Sequence, residues 1–177
     1  MKIVITGPES TGKTTTAKYL ARRFDTVWLE EFARTYVENL KRSYTYEDVV
    51  LIAQRQIERE KILARKYSLF FVDTSLIIIK VWFEKVFGKY PYWLDNQIVK
   101  LKADMYLLMY PDIEWIYDPV RENPGKKRFE LFYDYKRYLD NINANYAIIK
   151  GQAEKRLQNS YFAVEHFLRN YYFSKQK

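Results

Sequence analysis

Hydrophobic positions along the chain alternate between two periods. "KIVIT" at 2–6 is a short β-rich run ended by Gly7, and the following segment, 13–24, spaces Ala17, Leu20, Ala21 and Phe24 as one face of a helix. The pair predicts strand, loop, helix. A second strand is expected at 26–30, followed by a helix through 31–40. Thr45 with Asp48 three residues on forms a capping-box pattern, which opens a long helix to about Lys66. "SLFFVD" at 68–73 is almost continuously apolar and ends in a carboxylate, as expected of a central parallel strand buried on both faces. Two helices over 76–87 and 91–102 are broken by Gly88 and Pro91. A fourth strand at 104–110, a helix at 127–142, a fifth strand at 146–151 and a last helix over about 153–173 complete the pattern. Strands alternating with helices predict an α/β fold of three layers, a five-stranded parallel sheet covered on both faces. The charged segment 113–130, with Pro119, Pro124 and Gly125, is left as a short lid. A length of 177 residues suits one domain spanning 1–177.

Composition narrows the function. At 48% hydrophobic and 29% charged residues the chain is globular, and the lack of cysteine excludes a disulfide framework and thiolate metal sites. The start "MKIVITG" has no long apolar region of the signal-peptide kind. The most apolar window, "LFFVDTSLIII", is interrupted by Asp73 and too short to span a bilayer, so a cytoplasmic chain without a membrane partner is expected. The net charge of +8 comes from thirty Lys and Arg scattered among twenty-two acids. It is read as a solvated basic surface that favours polyanionic substrates, with a nucleic-acid surface as the alternative. The aromatic residues fall at core spacings and are not interleaved with basic ones as a stacking platform. His166, the sole histidine, lies in the amphipathic C-terminal helix and is assigned a structural or surface role.

The loop after the first strand carries the chemistry. Gly7, Gly12, Lys13 and Thr14 satisfy G-x-x-x-x-G-K-[ST] between a predicted strand and a predicted helix, the context in which that pattern cradles polyphosphates. ATP is therefore expected to lie against Gly7, Glu9, Ser10, Thr11, Gly12, Lys13, Thr14 and Thr15. Lys13 would meet the β- and γ-phosphates, and the Thr14 hydroxyl would coordinate Mg2+. Asp73, at the C-terminal end of its strand, is the second candidate metal ligand, or else caps the helix that begins near 75.

Three acceptors for the phosphate are conceivable: water, a protein or a small molecule. Thr74 stands where many P-loop ATPases carry a second acid to activate water. Leu76 stands where a GTPase would have glycine, and neither an Asn-Lys-x-Asp run nor the protein-kinase signature is present. A small-molecule acceptor remains. Glu30 and Glu31 end the second strand, where either can accept a hydroxyl proton, and Arg34 shares a helical face with Glu31. Gln56 lies on the apolar stripe of its helix with Val49, Ile52 and Leu63, so its amide needs a partner in the protein or the substrate. Arg121 and Arg128 flank the Pro-Gly turn of the lid as candidate cations over the phosphates. Trp115, just past the fourth strand, can pack inward or face a bound ring.

Together, "GPESTGKTT", the "EFAR" turn at 31–34, Gln56 ahead of "FFVDT", and the W-x-x-D-x-x-R of Trp115, Asp118 and Arg121 resemble the ribosylnicotinamide kinase domain of bifunctional bacterial NAD-salvage proteins, over roughly residues 2–150. The resemblance implies a P-loop fold like that of nucleoside-monophosphate kinases. It also implies transfer of phosphate from Mg-ATP to the 5'-hydroxyl of nicotinamide riboside, giving nicotinamide mononucleotide. Lys13, Glu31, Arg121 and Arg128 would then be catalytic, and Glu31, Arg34, Gln56, Thr74, Trp115 and Asp118 would meet the acceptor. Ser75 departs from the family, which has an acid there, and no adenylyltransferase half accompanies these residues, so the kinase step alone is expected. The alternatives are a kinase of another nucleoside or nucleotide, and an ATP-dependent regulatory or nucleic-acid-binding module.

Overall fold

In the computed structural model, which describes residues 1–118, 123 and 125–175, successive elements fall where the periods predict them. They are β1 (Lys2–Thr6), α1 (Lys13–Arg23), β2 (Val27–Leu29), α2 (Phe32–Asn39), α3 (Tyr46–Lys66), β3 (Phe70–Asp73), α4 (Leu76–Phe87), α5 (Trp93–Lys100), β4 (Met105–Met109), α6 (Lys126–Asn141), β5 (Tyr146–Ile149) and α7 (Ala153–Ser174). The five strands form one sheet in the order β2-β3-β1-β4-β5, every pairing parallel. The expected α/β fold, a five-stranded parallel sheet flanked by helices, is the one found. Four strands are each two residues shorter than predicted, inner and outer alike: β2 has 3 residues, β3 has 4, β4 has 5 and β5 has 4.

Alternation along the strands divides the core in two. Ile3 and Ile5 of β1, Phe71 of β3, and Met105 and Leu107 of β4 pack with Ala17, Leu20 and Ala21 of α1 and Val164 of α7. Their sequence neighbours Val4, Phe70, Val72, Tyr106 and Leu108 face the other way, onto α3, α4, α5 and α6. Because both faces are covered, the central strands read as continuous apolar runs rather than alternating ones. The capping box at the start of α3 is present. The Thr45 amide donates to Asp48 Oδ2 at 2.7 Å and the Asp48 amide donates to Thr45 Oγ1 at 3.3 Å. Asp48 also accepts from Arg42 at 2.6 Å and from Tyr36 at 2.8 Å, which ties α2 and its following turn to α3.

Parallel pairing in this order brings the ends of β1, β2, β3 and β4 to one rim. Thr6 is level with Leu108 and Ile5 with Asp73. At that rim Gly7 adopts φ +136°, and a β-carbon on it would lie 2.8 Å from the Met109 carbonyl oxygen. Neither side-chain conformation nor space permits another residue there. Segment 113–118 carries no helix or strand. Pro119, Arg121 and Pro124 of the expected lid lie outside the described residues.

Candidate active site

The turn from β1 into α1 builds the first half of the site. Gly12, in the left-handed region, stands at the N-cap of α1 and offers no side chain to its first-turn amides, so that turn is open to an anion. The loop is drawn inward by its own side chains. Thr11 Oγ1 donates to the Pro8 carbonyl at 2.8 Å, and Lys13 Nζ donates to the same oxygen at 2.9 Å. Thr14 Oγ1 donates to Asp73 Oδ2 at 2.5 Å across the rim. Asp73 Oδ1 is buried and has no hydrogen-bond partner among the described residues. Burial pushes this carboxyl above its ordinary value, against the opposing pull of Lys13 and the Thr14 hydroxyl. Ser75, not Asp73, occupies the N-cap of α4, so the capping alternative for Asp73 gives way to a carboxylate facing the phosphate loop.

A hydroxyl and a carboxylate with one orphaned oxygen suit a divalent cation of the oxygen-ligand kind. Among the described residues no group of three or more His, Cys, Asp or Glu is arranged for a metal. An ion here would take only Thr14 and Asp73 from the protein and complete its shell with phosphate and water. Thr15 is exposed on the outer side of α1.

The second half assembles around Glu31. It stands at the N-cap of α2 but makes no capping hydrogen bond, which leaves its carboxylate to the rim. Burial raises its carboxyl; Lys13 opposes the rise, the Asp73 charge adds to it, and Arg34 and the Thr74 hydroxyl oppose it. Glu30 is exposed, with its carbonyl accepting from Arg59 at 3.2 Å. Of the two acids, Glu31 is the less exposed and is acted on by Lys13 and Asp73, while the Glu30 charge also reaches Asp73. Thr74 is buried at φ +81°, and its hydroxyl, although near Glu31, makes no hydrogen bond of normal geometry. A β-branched residue in that region is strained.

Other expected acceptor contacts are engaged with one another. Arg34 pairs with Glu38 at 2.8 Å and with Asp118, and the Asp118 hydrogen bond raises the guanidinium further. The Gln56 amide finds its partner in the protein, donating to Glu60 Oε1 at 2.9 Å and to the Thr74 carbonyl at 3.5 Å, while Glu60 pairs with Lys2 at 2.6 Å. Trp115 is half-buried, its indole N–H donating to Glu9 Oε1 at 2.9 Å and its ring meeting Tyr117 edge-on at 6.2 Å.

Two of the expected site residues have their side chains engaged within the protein. Glu9, expected against ATP, has its carboxylate taken up by Trp115 and by the backbone and side-chain amides of Asn123, at 2.9 and 3.3 Å. Arg128, expected as an exposed arginine over the phosphates, is 5% exposed, and its guanidinium donates to the Ser10 carbonyl at 3.1 Å and the Ile113 carbonyl at 2.9 Å. It sits in the first turn of α6, where two loop carbonyls require a donor. Arg121 lies outside the described residues.

One residue was not foreseen. Arg156 of α7 is 3% exposed and donates to the carbonyls of Thr11 and Tyr110, both at 3.0 Å, and of Gly151 at 2.7 Å, with an ion pair to Asp112. It braces the phosphate loop from behind. Its signal was available, since it lies four residues before Ser160 and eight before Val164, on the buried stripe of α7.

A family described as an AAA domain matches residues 2–156. No curated protein matches the chain. Among solved structures, a NadR protein in complex with NR superposes with a TM-score of 0.74 at 22% identity, covering 94% of this chain and 51% of that one. A thymidylate kinase from Ehrlichia chaffeensis gives 0.62 at 13% identity over 95% of this chain and 98% of that one. A deoxyadenosine kinase from M. mycoides, with dCMP and dCDP bound, gives 0.59 at 12% over 96% and 100%. The chain thus shares the fold of these kinases and spans about half the length of the NadR chain.

Proposed function

The chain belongs to the AAA-domain family over residues 2–156, and from that premise we propose that it is a P-loop kinase that transfers the γ-phosphoryl group of ATP to the 5'-hydroxyl of nicotinamide riboside. The observation that carries the reading is Glu31, a half-buried residue at the rim whose carboxylate feels Lys13 and Asp73 and is not spent on capping its helix. An acid placed there can take a proton from an acceptor hydroxyl. In this reading the first turn of α1 and Lys13 bind the phosphates, Lys13 leaving the Pro8 carbonyl to do so. Thr14 and Asp73 would hold Mg2+, which neutralises charge on the phosphate oxygens. Glu31 takes the proton as the acceptor oxygen bonds to phosphorus and the bond from phosphorus to ADP breaks.

Arg34, Thr74 and Asp118 line the acceptor side, and the Trp115 face meets the pyridinium ring, an attraction of about 1 to 2 kcal/mol when desolvated. Arg128 serves by holding the Ser10 carbonyl, while Arg121 would contribute the lid's cation. The naming of nicotinamide riboside as acceptor is supported by the sequence features above and by the NR complex of NadR. The test is ADP release from Mg-ATP across a panel of nicotinamide riboside, other nucleosides and mononucleotides including thymidylate. Nicotinamide riboside should give the highest kcat/KM. Preference for an uncharged nucleoside would overturn the acceptor, and no ADP with any acceptor would overturn the kinase.

A further inference from the structure

Within that kinase reading, we infer that Glu9, although inside the phosphate loop, is a positioning residue for the acceptor end of the site, fixing the Trp115 indole rather than contacting the nucleotide. A carboxylate among the backbone amides of a phosphate loop repels the ligand they attract unless it is turned away and occupied. Glu9 is occupied on both oxygens. Oε1 accepts from the Trp115 indole and the Asn123 backbone amide, each at 2.9 Å, and Oε2 accepts from the Asn123 side chain at 3.3 Å.

The next loop residue points the same way. Ser10 Oγ accepts from the Ile116 amide at 3.1 Å and donates to the Glu114 carbonyl at 3.3 Å. Two adjacent side chains at the crest of the loop are therefore committed to residues 114–116 and Asn123. Two residues past Ile116, Asp118 is held by Arg34 of α2. An indole has one N–H, so a charge-assisted bond to it fixes the place and direction of that edge and leaves rotation about the N–H axis. Tyr117, edge-on at 6.2 Å and 69°, restrains the remaining rotation. The ring nearest the acceptor side thus takes its orientation from the donor loop.

The test uses the full chain labelled with 5-fluorotryptophan, the Trp115 resonance being assigned with Trp115→Phe. Glu9→Ala should move that resonance toward the solvent-exposed value and leave those of Trp28, Trp82 and Trp93 in place. ADP affinity by calorimetry should change less than about twofold, whereas KM for the acceptor rises about tenfold, the equivalent of about 1.4 kcal/mol. Glu9→Gln keeps an oxygen that can accept from the indole and should recover most of what Glu9→Ala loses, in both the resonance and KM. An unmoved resonance, or an ADP affinity that falls as far as the acceptor's, overturns the inference. If no compound on the panel is phosphorylated, the kinase reading fails by itself. The resonance and the ADP affinity still decide whether Glu9 serves the indole or the nucleotide.

Discussion

The phosphate loop and the acceptor mouth share one rim of the sheet but are built in opposite ways. The loop is contiguous from Gly7 to Thr14, and its internal bonds, Thr11 and Lys13 to the Pro8 carbonyl, join residues three and five apart. The mouth gathers Glu31, Thr74, Trp115 and Asp118 from separate segments, and its bonds, Asp118 to Arg34 and Trp115 to Glu9, span 84 and 106 residues. A loop of the first kind carries its chemistry in its own sequence. A mouth of the second kind depends on the packing of everything between, so substitutions in it should separate acceptor from donor, while in the loop only Glu9, whose carboxylate serves the mouth, should do the same.

The largest effect is expected in the loop. Lys13→Ala should lower kcat by about a thousandfold or more, since the lost cation faces charge that develops on the phosphoryl group, with no change in melting temperature. Turnover persisting in the folded variant would contradict the role given to the loop. Next, Glu31→Gln should lower kcat by about a hundredfold or more with KM for ATP near wild type, and Glu30→Gln should be close to normal. The reverse pattern would assign the acid role to the exposed carboxylate. Trp115→Ala should raise acceptor KM about tenfold while leaving that for ATP alone. Equal losses for both ligands would erase the distinction between loop and mouth.

Smaller effects concern how the mouth is held. At Thr74, φ +81°, Thr74→Gly should be more stable than Thr74→Ala by about 1 kcal/mol, the reverse of the order at an ordinary position, as urea unfolding would register. The smallest is a pH effect at the α2–α3 junction behind the mouth. Arg42 foremost, with the Thr45 amide and the Tyr36 hydroxyl, holds the Asp48 carboxyl well below the usual range. A carboxyl depressed by folding contributes stability above its unfolded value, about 3.9, and loses that contribution as pH falls toward the folded value. Melting temperature should therefore fall below about pH 4, and less steeply in Arg42→Ala. Identical acid limbs would remove Arg42 from the account.

The same contrast explains what the sequence disclosed. Every strand and helix was legible from its period, because a sheet covered on both faces imposes an unbroken apolar run on β3 and a three-and-four spacing on α1. The loop was legible because its glycines, lysine and threonine are consecutive. Asp73 was legible because it ends a strand, and Glu31 because it lies just past one, at the N-cap of α2. The partners of Glu9 and Arg128 were not legible, since nothing local says that a loop carboxylate will meet an indole 106 residues away or that an arginine in a charged turn will be buried against two carbonyls. Gln56 was recognised as needing a partner, and Glu60, four residues on in the same helix, is one that the spacing itself offers.

Gly7 separates the history of the fold from the history of its chemistry. Its side-chain space is filled by the Met109 carbonyl whether or not a nucleotide is bound. A descendant that had lost catalysis would be free to replace Lys13 and Thr14 yet would still need glycine at position 7. Across a set of such chains, the first glycine of the motif would mark ancestry, and the lysine six residues later would mark a working enzyme.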